Sequence, residues 1–489
     1  MAIALILSSF SEGGVSYAPG QLADLPTSIV TYRKAVGHVD DAAAAISDAS
    51  ASGAAIRVHS YELQSLVPIL PSPQILRRLP HVVAALGDSR IDAIYLDAST
   101  RRNLGARSPL NWANALMGHR LVIGDDYGVS GDRTDQMLAR LAAAIASGAG
   151  LLYLQGGVND IAQNYPTAGT SGATAFANLK AMAEAGRAAG MQVVIEAEVG
   201  AQNLNTAAFV TQINELNALL YEYAEETPGV HVHDARSVVL NATSSDTVVS
   251  FKAGYTSDGT HPTPKGAAYW GESLAALLTQ IIPSRAQLLG RNRIELPSNG
   301  RRQLLLNHLF QTATGGTLSN GVTGTVPSGW TGHRATTVPS AAFSTQADAS
   351  GLGNNVVIDA TFTAAGEEIR LYQDVNIANW LPGDIVEVYA DVQIVGNPTC
   401  LASVALYLGH NTGSGGTTYD SFDLIHGLTS EAGPDHALSL TLKTRPYVLN
   451  PTVGAGPFLT ARARIYSSGA GTAQIIVKQM GVRRRTSFY

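Results

Sequence analysis

A single cysteine, Cys400, stands in a chain of 489 residues, so no intrachain disulfide can form. That favours synthesis in a reducing compartment without forbidding later export. Charge is scarce too: 14% of residues are Asp, Glu, Lys or Arg, and the net charge is −6. Before residue 301, 20 Lys and Arg stand against 26 Asp and Glu, and 12 of each sign follow. Neither part has the basic surplus that a nucleic-acid binder sets against phosphate, so no nucleic-acid partner is expected. Long apolar runs are also missing. Nothing approaches the ~20 apolar residues of a membrane helix. The short run at residues 2–7 lacks the basic flank and small-residue cleavage site of a signal peptide. No membrane partner is expected. The 12 histidines show no metal-ligand spacing, so neither a metal nor another cofactor is proposed. What the chain does have is 45% hydrophobic residues, a globular composition long enough for two or three domains.

Three regions separate by pattern. Residues 1–80 show weak periodicity, an Ala-rich patch at 42–46 and several prolines (Pro68, Pro71, Pro73, Pro80). A docking or oligomerisation segment and a structural extension of the next domain are equally good readings of this part. Residues 81–282 alternate short apolar runs (82–86, 121–123, 151–154, 193–195, 230–232) with amphipathic stretches. Phe209, Ile213, Leu216, Leu220 and Tyr223 fall at helical spacing, as do Trp270, Leu274, Leu277 and Ile281. Thr263 followed by Pro264 suits the cap and first turn of that last helix. Strands alternating with helices predict an α/β domain, a parallel sheet covered on both faces.

Residues 283–300 read as a linker, and beyond them, over 301–489, the period changes to two. Val386, Val388, Ala390, Val392 and Ile394 alternate with Glu387, Tyr389, Asp391 and Gln393, which predicts a strand with one buried and one wetter face. Ala461, Ala463 and Ile465 alternate likewise with Arg462, Arg464 and Tyr466. No convincing helix interrupts, so an all-β sandwich of jelly-roll type is expected.

In an open parallel sheet, functional residues gather beyond the carboxyl ends of the strands. Four segments belong to that edge. Gly87-Asp88-Ser89 follows the first strand, Gly128-Val129-Ser130-Gly131-Asp132 the second, and Gly156-Gly157-Val158-Asn159-Asp160 the third; Asp258-Gly259-Thr260-His261 precedes the last helix. Acyl transfer needs such a set. A serine hydroxyl attacks only if a histidine takes its proton, a carboxylate must hold that histidine, and fixed donors must receive the charge that develops on oxygen. Ser89, His261 and Asp258 can fill the first roles; the N–H groups of Ser89 and Gly131 and the amide of Asn159 can fill the last. Each segment alone could be an ordinary turn. His231 and His233 are rival bases, but they alternate along a predicted strand.

Together the four segments resemble blocks I, II, III and V of the SGNH (GDSL-type) hydrolases, in order over about 200 residues. The resemblance implies a flavodoxin-like three-layer α/β/α fold and metal-free hydrolysis of esters, thioesters or sugar O-acetyl groups. It also implies an oxyanion hole from Ser89, Gly131 and Asn159, with Asp258 and His261 completing the triad. Two positions depart from the pattern: Arg90 stands where leucine is usual, and Asp126 where the second block opens with asparagine.

The stretch from Gly315 to Trp330 resembles the opening of carbohydrate-binding sandwiches in phage tail proteins. Trp330, Trp380, Tyr372, Tyr389 and Tyr407 offer flat rings for sugars, or else pack the core. An acylated polysaccharide is therefore the expected substrate partner, and a virion tail or extracellular site the expected location. A homo-oligomer is left open, a trimer if the chain is a tail spike. A cellular lipid or acyl esterase, or a tail protein whose hydrolase domain has lost activity, are the competing readings.

Overall fold

The computed structural model describes residues 79–96, 103–284, 303–335, 338–349, 351–375, 383–411, 417–422, 431–448 and 459–485, with six short strands before them. Residues 1–77 and 78–489 form two compact units. In the first, β1 (Ala2–Ile6), β4 (Leu22–Leu25), β5 (Val39–Asp40) and β6 (Ile56–Val58) make a sheet in the order β5-β1-β4-β6. Separately, β2 (Phe10–Glu12) and β3 (Val15–Tyr17) pair antiparallel. The Ala-rich patch at 42–46, Pro68, Pro71, Pro73, most of the linker and Trp380 lie outside the described residues.

The second unit opens with β7 (Leu79–Gly87), β8 (Val122–Gly128), β9 (Ala149–Gln155), β10 (Gln192–Glu196) and β11 (Val230–His233). Each contains or overlaps one of the five apolar runs. All pairings are parallel, in the order β11-β10-β9-β7-β8. Counted from β7, that is the flavodoxin-like order 2-1-3-4-5, whose direction of winding reverses between the first and third strands. β9 is buried along its whole length, as a central strand covered on both faces must be.

The helices are α1 (Ser89–Asp92), α2 (Pro109–Leu116), α3 (Thr134–Ala146), α4 (Val158–Ala162), α5 (Ser171–Ala188), α6 (Ala207–Glu226), α7 (Arg236–Val239) and α8 (Pro264–Ile281). Side-chain alternation along the strands divides two cores. Val82, Ala84 and Leu86 pack with Met137, Leu179 and Leu216 of α3, α5 and α6. Val83 and Ala85 face the other way, in the cluster that holds Trp112 of α2 and Leu274 of α8. Thr263 caps α8 as expected, its hydroxyl accepting from the Gly266 N–H at 3.1 Å. No described helix is long and apolar enough to cross a membrane.

Beyond residue 303 every regular element described is a strand: β12 (Thr317–Ser319), β13 (Thr323–Gly324), β14 (Thr331–Arg334), β15 (Ser340–Ala347), β16 (Asn354–Phe362), β17 (Ala365–Val375), β18 (Ile385–Val395), β19 (Leu401–Asn411), β20 (Thr417–Phe422), β21 (Leu438–Lys443), β22 (Tyr447–Val448), β23 (Leu459–Ser468) and β24 (Gly471–Arg485). They form two mainly antiparallel sheets, β12-β14-β17-β23-β19-β20 and β13-β15-β16-β24-β18-β21. Ile369, Leu371, Val404 and Ile465 of the first share an apolar cluster with Val356, Ile358, Val388 and Val392 of the second. The all-β region is therefore a two-sheet structure around one core.

One expectation about this region needs correction, and one alternative is decided. Glu387 and Tyr389 are buried, not wet. Cross-strand pairing sets Glu387 against Arg483, and its carboxylate meets both Arg483 and Arg485; Gln303 donates to the Tyr389 hydroxyl at 2.9 Å. Trp330 and Tyr407 are also buried. Trp330 donates to the Asn307 carbonyl at 3.1 Å, and Arg464 covers the Tyr407 ring at 4.5 Å. These three rings serve the sandwich core, whereas Tyr372 keeps partial exposure.

Nor does the β region stand apart from the α/β domain. One apolar cluster runs from Trp112 of α2 to Leu438, Leu440 and Leu442 of β21. Lys265 and the Tyr269 hydroxyl, both on α8, meet Asp435 at 2.6 and 3.0 Å. His436 stacks on the Tyr269 ring at 4.3 Å.

Candidate active site

The carboxyl edge of the sheet is built in register. Gly87 lies opposite Gly128 on one side and Gln155 on the other, so the loops after β7, β8 and β9 leave from one level. Gly87 must be glycine: a Cβ there would stand 2.3 Å from Ile91 Cγ1 and 2.4 Å from the Gln155 carbonyl oxygen. That close approach lets the chain turn straight into α1. Asp88 caps it, its Oδ1 accepting the Arg90 N–H at 3.0 Å, and Ser89 becomes the first helical residue. First-turn N–H groups have no partner within their helix. The Ser89 N–H has none among the described residues.

The second loop brings Gly131, at φ +84°, a left-handed conformation that favours glycine. Its N–H is likewise unclaimed among the described residues, while its carbonyl accepts from the Gln163 side chain at 3.1 Å. The third loop brings Asn159 on α4. Its amide donates one hydrogen to the Asp132 carbonyl at 2.9 Å, and a primary amide has a second to give. Arg140 of α3 ties the bases of the first two loops together. It donates to the carbonyls of Gly87 at 3.2 Å and Tyr127 at 3.1 Å and pairs with Asp132. Sequence reasoning missed Arg140, which carries no motif.

The fourth segment completes a relay. His261 Nε2 is 2.7 Å from Ser89 Oγ, and its Nδ1 is 2.7 Å from Asp258 Oδ2. The other carboxylate oxygen accepts the N–H groups of Thr260 at 2.9 Å and His261 at 2.8 Å. Partial burial works to raise the Asp258 pKa. The backbone N–H and ring of His261, with the Thr260 N–H, outweigh it and hold the group down at about 2. An ionised Asp258 keeps the proton on Nδ1 and the Nε2 lone pair toward Ser89. The turn is braced from outside: the Gln202 N–H donates to the Gly259 carbonyl at 2.6 Å, and the Thr260 hydroxyl to Asn203 Oδ1 at 2.7 Å. All five residues expected at the site thus stand at one edge of the sheet, and Ser89, His261 and Asp258 are in direct contact.

Arg90 was one of the two departures from the motif, and the structure gives it work. Its guanidinium is buried, 2.5 Å from Glu198 Oε1, and donates to the Gly200 carbonyl at 3.0 Å. A buried cation demands an anion, yet Glu198, two residues past the end of β10, carried no sign of this in sequence. Asp88 is fully buried beside the pair. Burial lifts its carboxyl to about 6, with Glu198 adding to the rise and Arg90 opposing it. Asp126, the other departure, lies buried within β8.

The rival histidines serve structure. His231 faces Gln192 at 3.3 Å. His233 is buried between Glu196, at 2.8 Å, and the Ser273 hydroxyl, at 3.0 Å. Burial lowers the His233 pKa, but Glu196 prevails and raises it. Glu196 also accepts from Tyr153 and Trp270. That mimics a triad, but Ser273 sits within α8, where the helix consumes the backbone N–H groups an oxyanion would need. Among the described residues, no group of three or more His, Cys, Asp or Glu gathers as a metal site.

Residues 85–269 match the GDSL-like lipase/acylhydrolase family. The chain thus carries a GDSL-type acylhydrolase domain followed by a β-rich region. Among solved structures, a GDSL-family lipolytic protein from Desulfitobacterium hafniense is 19% identical, with 40% of this chain and 99% of that one covered and a TM-score of 0.32. An acetyl xylan esterase is 13% identical over 40% of this chain and 99% of its own, TM-score 0.32. The enzymatically active domain of tailspike protein 4 from bacteriophage CBA120 is 11% identical over 37% of this chain and 21% of its own, TM-score 0.25. No curated protein matches the sequence.

Asn159→Ala is expected to lower kcat by roughly 10²–10³, the usual cost of one oxyanion donor, with a small change in KM. Steady-state kinetics on p-nitrophenyl acetate check this. A raised KM at unchanged kcat would instead make Asn159 a substrate-binding group.

Proposed function

We propose that this chain hydrolyses O-acyl esters, above all acetyl esters on a polysaccharide, with Ser89 as nucleophile. The observation that carries the reading is the relay from Ser89 Oγ through His261 to Asp258, 2.7 Å at each step. As Ser89 Oγ bonds to the carbonyl carbon, its proton passes to His261 Nε2 and an electron pair moves onto the carbonyl oxygen. The N–H groups of Ser89 and Gly131 and the Asn159 amide receive that charge. Collapse of the adduct expels the alcohol, which takes the proton from His261. Water, deprotonated by the same nitrogen, then frees the acid from acyl-Ser89. No step calls for a metal.

Support for a bulky, hydrated substrate comes from the openness of the site. The Asp258 side chain is 51% exposed and that of His261 36%, so an ester projecting from a polymer can reach Ser89 without entering a tunnel. The β region rests on α8, the helix that follows His261 directly, which puts a second surface beside the enzyme domain. A phage tail spike or fibre acting on bacterial surface glycan is the setting we propose, with residues 1–80 for docking or oligomerisation.

A p-nitrophenyl ester series tests this. Acetate should be cleaved fastest, at the same rate in EDTA. A steep preference for C8 or longer chains would point to a lipid esterase, and loss of activity in EDTA would contradict the mechanism.

A further inference from the structure

A cleft of about 390 Å³ opens between the segment that continues α4 and the first turns of α6. One wall carries Ile161 and Asn164, the other Leu204, Thr206, Ala208 and Thr211. Both walls grow out of the active site. Ile161 lies on the same short helix as Asn159. Leu204 follows Asn203, whose carbonyl oxygen Oδ1 takes the hydroxyl of Thr260, the neighbour of His261. Along the chain the cleft therefore adjoins both the helix of the oxyanion amide and the brace of the catalytic histidine.

We propose that the cleft is the subsite for the neutral sugar ring that bears the ester. The inference rests on the esterase reading and adds to it where the alcohol part binds and what its charge is. Three observations select this occupant. The volume falls within the roughly 300–1,000 Å³ of small-ligand sites, far more than an acetyl group needs. No residue lining it is charged, so a carboxylate-bearing sugar would lose its hydration there without gaining a counter-ion. The lining also mixes two kinds of surface. Leu204 is 39% exposed and offers an apolar patch to the C–H face of a pyranose. The exposed rim supplies the hydroxyls of Thr206 and Thr211 and the amide of Asn164, which has no side-chain partner among the described residues. Thr211 already donates to the Ala207 carbonyl at 2.8 Å and Thr206 accepts the Phe209 N–H at 3.2 Å. What the rim offers is therefore their remaining oxygen lone pairs and the Asn164 amide, which a sugar's hydroxyls can pair with and a long acyl chain cannot.

The test narrows the cleft from α6. Ala208 and Thr211 are exposed on one face of that helix, and Ala208→Trp and Thr211→Trp place an indole inside. Ala142→Trp, on the exposed side of α3, is the control. The reading is the ratio of kcat/KM on methyl glucoside tetraacetate to that on p-nitrophenyl acetate. It should fall at least tenfold in both cleft variants, through KM, and hold in the control. In the wild type, unacetylated methyl glucoside should inhibit p-nitrophenyl acetate hydrolysis, a measurement that needs no variant. An unchanged ratio, an absence of inhibition, or a selective loss of p-nitrophenyl octanoate hydrolysis would overturn the sugar subsite. A wild type inert to p-nitrophenyl acetate would overturn the esterase reading itself, and the subsite with it.

Discussion

Ser89→Ala is expected to reduce kcat on p-nitrophenyl acetate by on the order of 10⁶-fold, as loss of the nucleophile does where a triad acts as a unit. Some acceleration over water should remain, because the N–H groups of Ser89 and Gly131 and the Asn159 amide survive the substitution. The fold should survive as well. Ser89 Oγ makes one hydrogen bond among the described residues, to His261 Nε2, and a single such bond is worth about 0.5–1.5 kcal/mol net. Because the His261 side chain is 36% exposed, water can replace the lost partner. The expected result is thus an inactive protein that melts within a few degrees of the wild type. Turnover assays paired with thermal melts check both halves. A folded Ser89→Ala variant that keeps more than a per cent of activity would remove Ser89 from the mechanism.

The parts of this design that sequence revealed are those whose signals are local. Each parallel strand announced itself by a short apolar run, because a strand covered on both faces needs nothing else. The site residues were legible because each follows a strand end or precedes a helix, where the fold class already places chemistry. What stayed hidden depends on pairs far apart in the chain. Arg90 and Glu198 are separated by 108 positions, and neither residue type predicts its own burial. Glu387 read as a solvent-facing residue by its period of two, and only the cross-strand arginines make its burial tolerable. The contact of α2 and α8 with the β region is of the same kind. An apolar helix face looks alike whether a sheet of its own domain or a neighbouring module covers it.

The hidden pair behind the nucleophile gives the largest expected effect on stability. In Glu198→Ala, Arg90 loses its partner at a site where both side chains are 1% exposed, and breaking a buried ion pair from one side costs about 3–5 kcal/mol. Asp88 should offset part of this. Its carboxyl is lifted to about 6 by burial, with Glu198 contributing to the rise, so removing Glu198 eases its ionisation beside Arg90. The compensation carries a sign. A carboxyl raised above its unfolded value keeps its proton in the folded state, so in the wild type this group's contribution is largest at low pH and is lost as pH rises from about 4 to 6. In Glu198→Ala that loss should shrink, and the stability gap to the wild type should be narrower at pH 7 than at pH 4. Catalysis should suffer too. Glu198 Oε1 accepts the Gly200 N–H at 3.0 Å, and two residues on, Gln202 holds the carbonyl of Gly259 in the turn that carries His261. The double variant Arg90→Leu with Glu198→Leu should regain much of the stability, since a buried pair exchanged for apolar side chains leaves no bare charge. Urea unfolding of the full chain at both pH values, with kcat measured alongside, reads all of these. If Glu198→Ala unfolds within 1 kcal/mol of the wild type at both pH values, Arg90 does not depend on this partner, and the strut behind Ser89 is not what holds the two catalytic turns together.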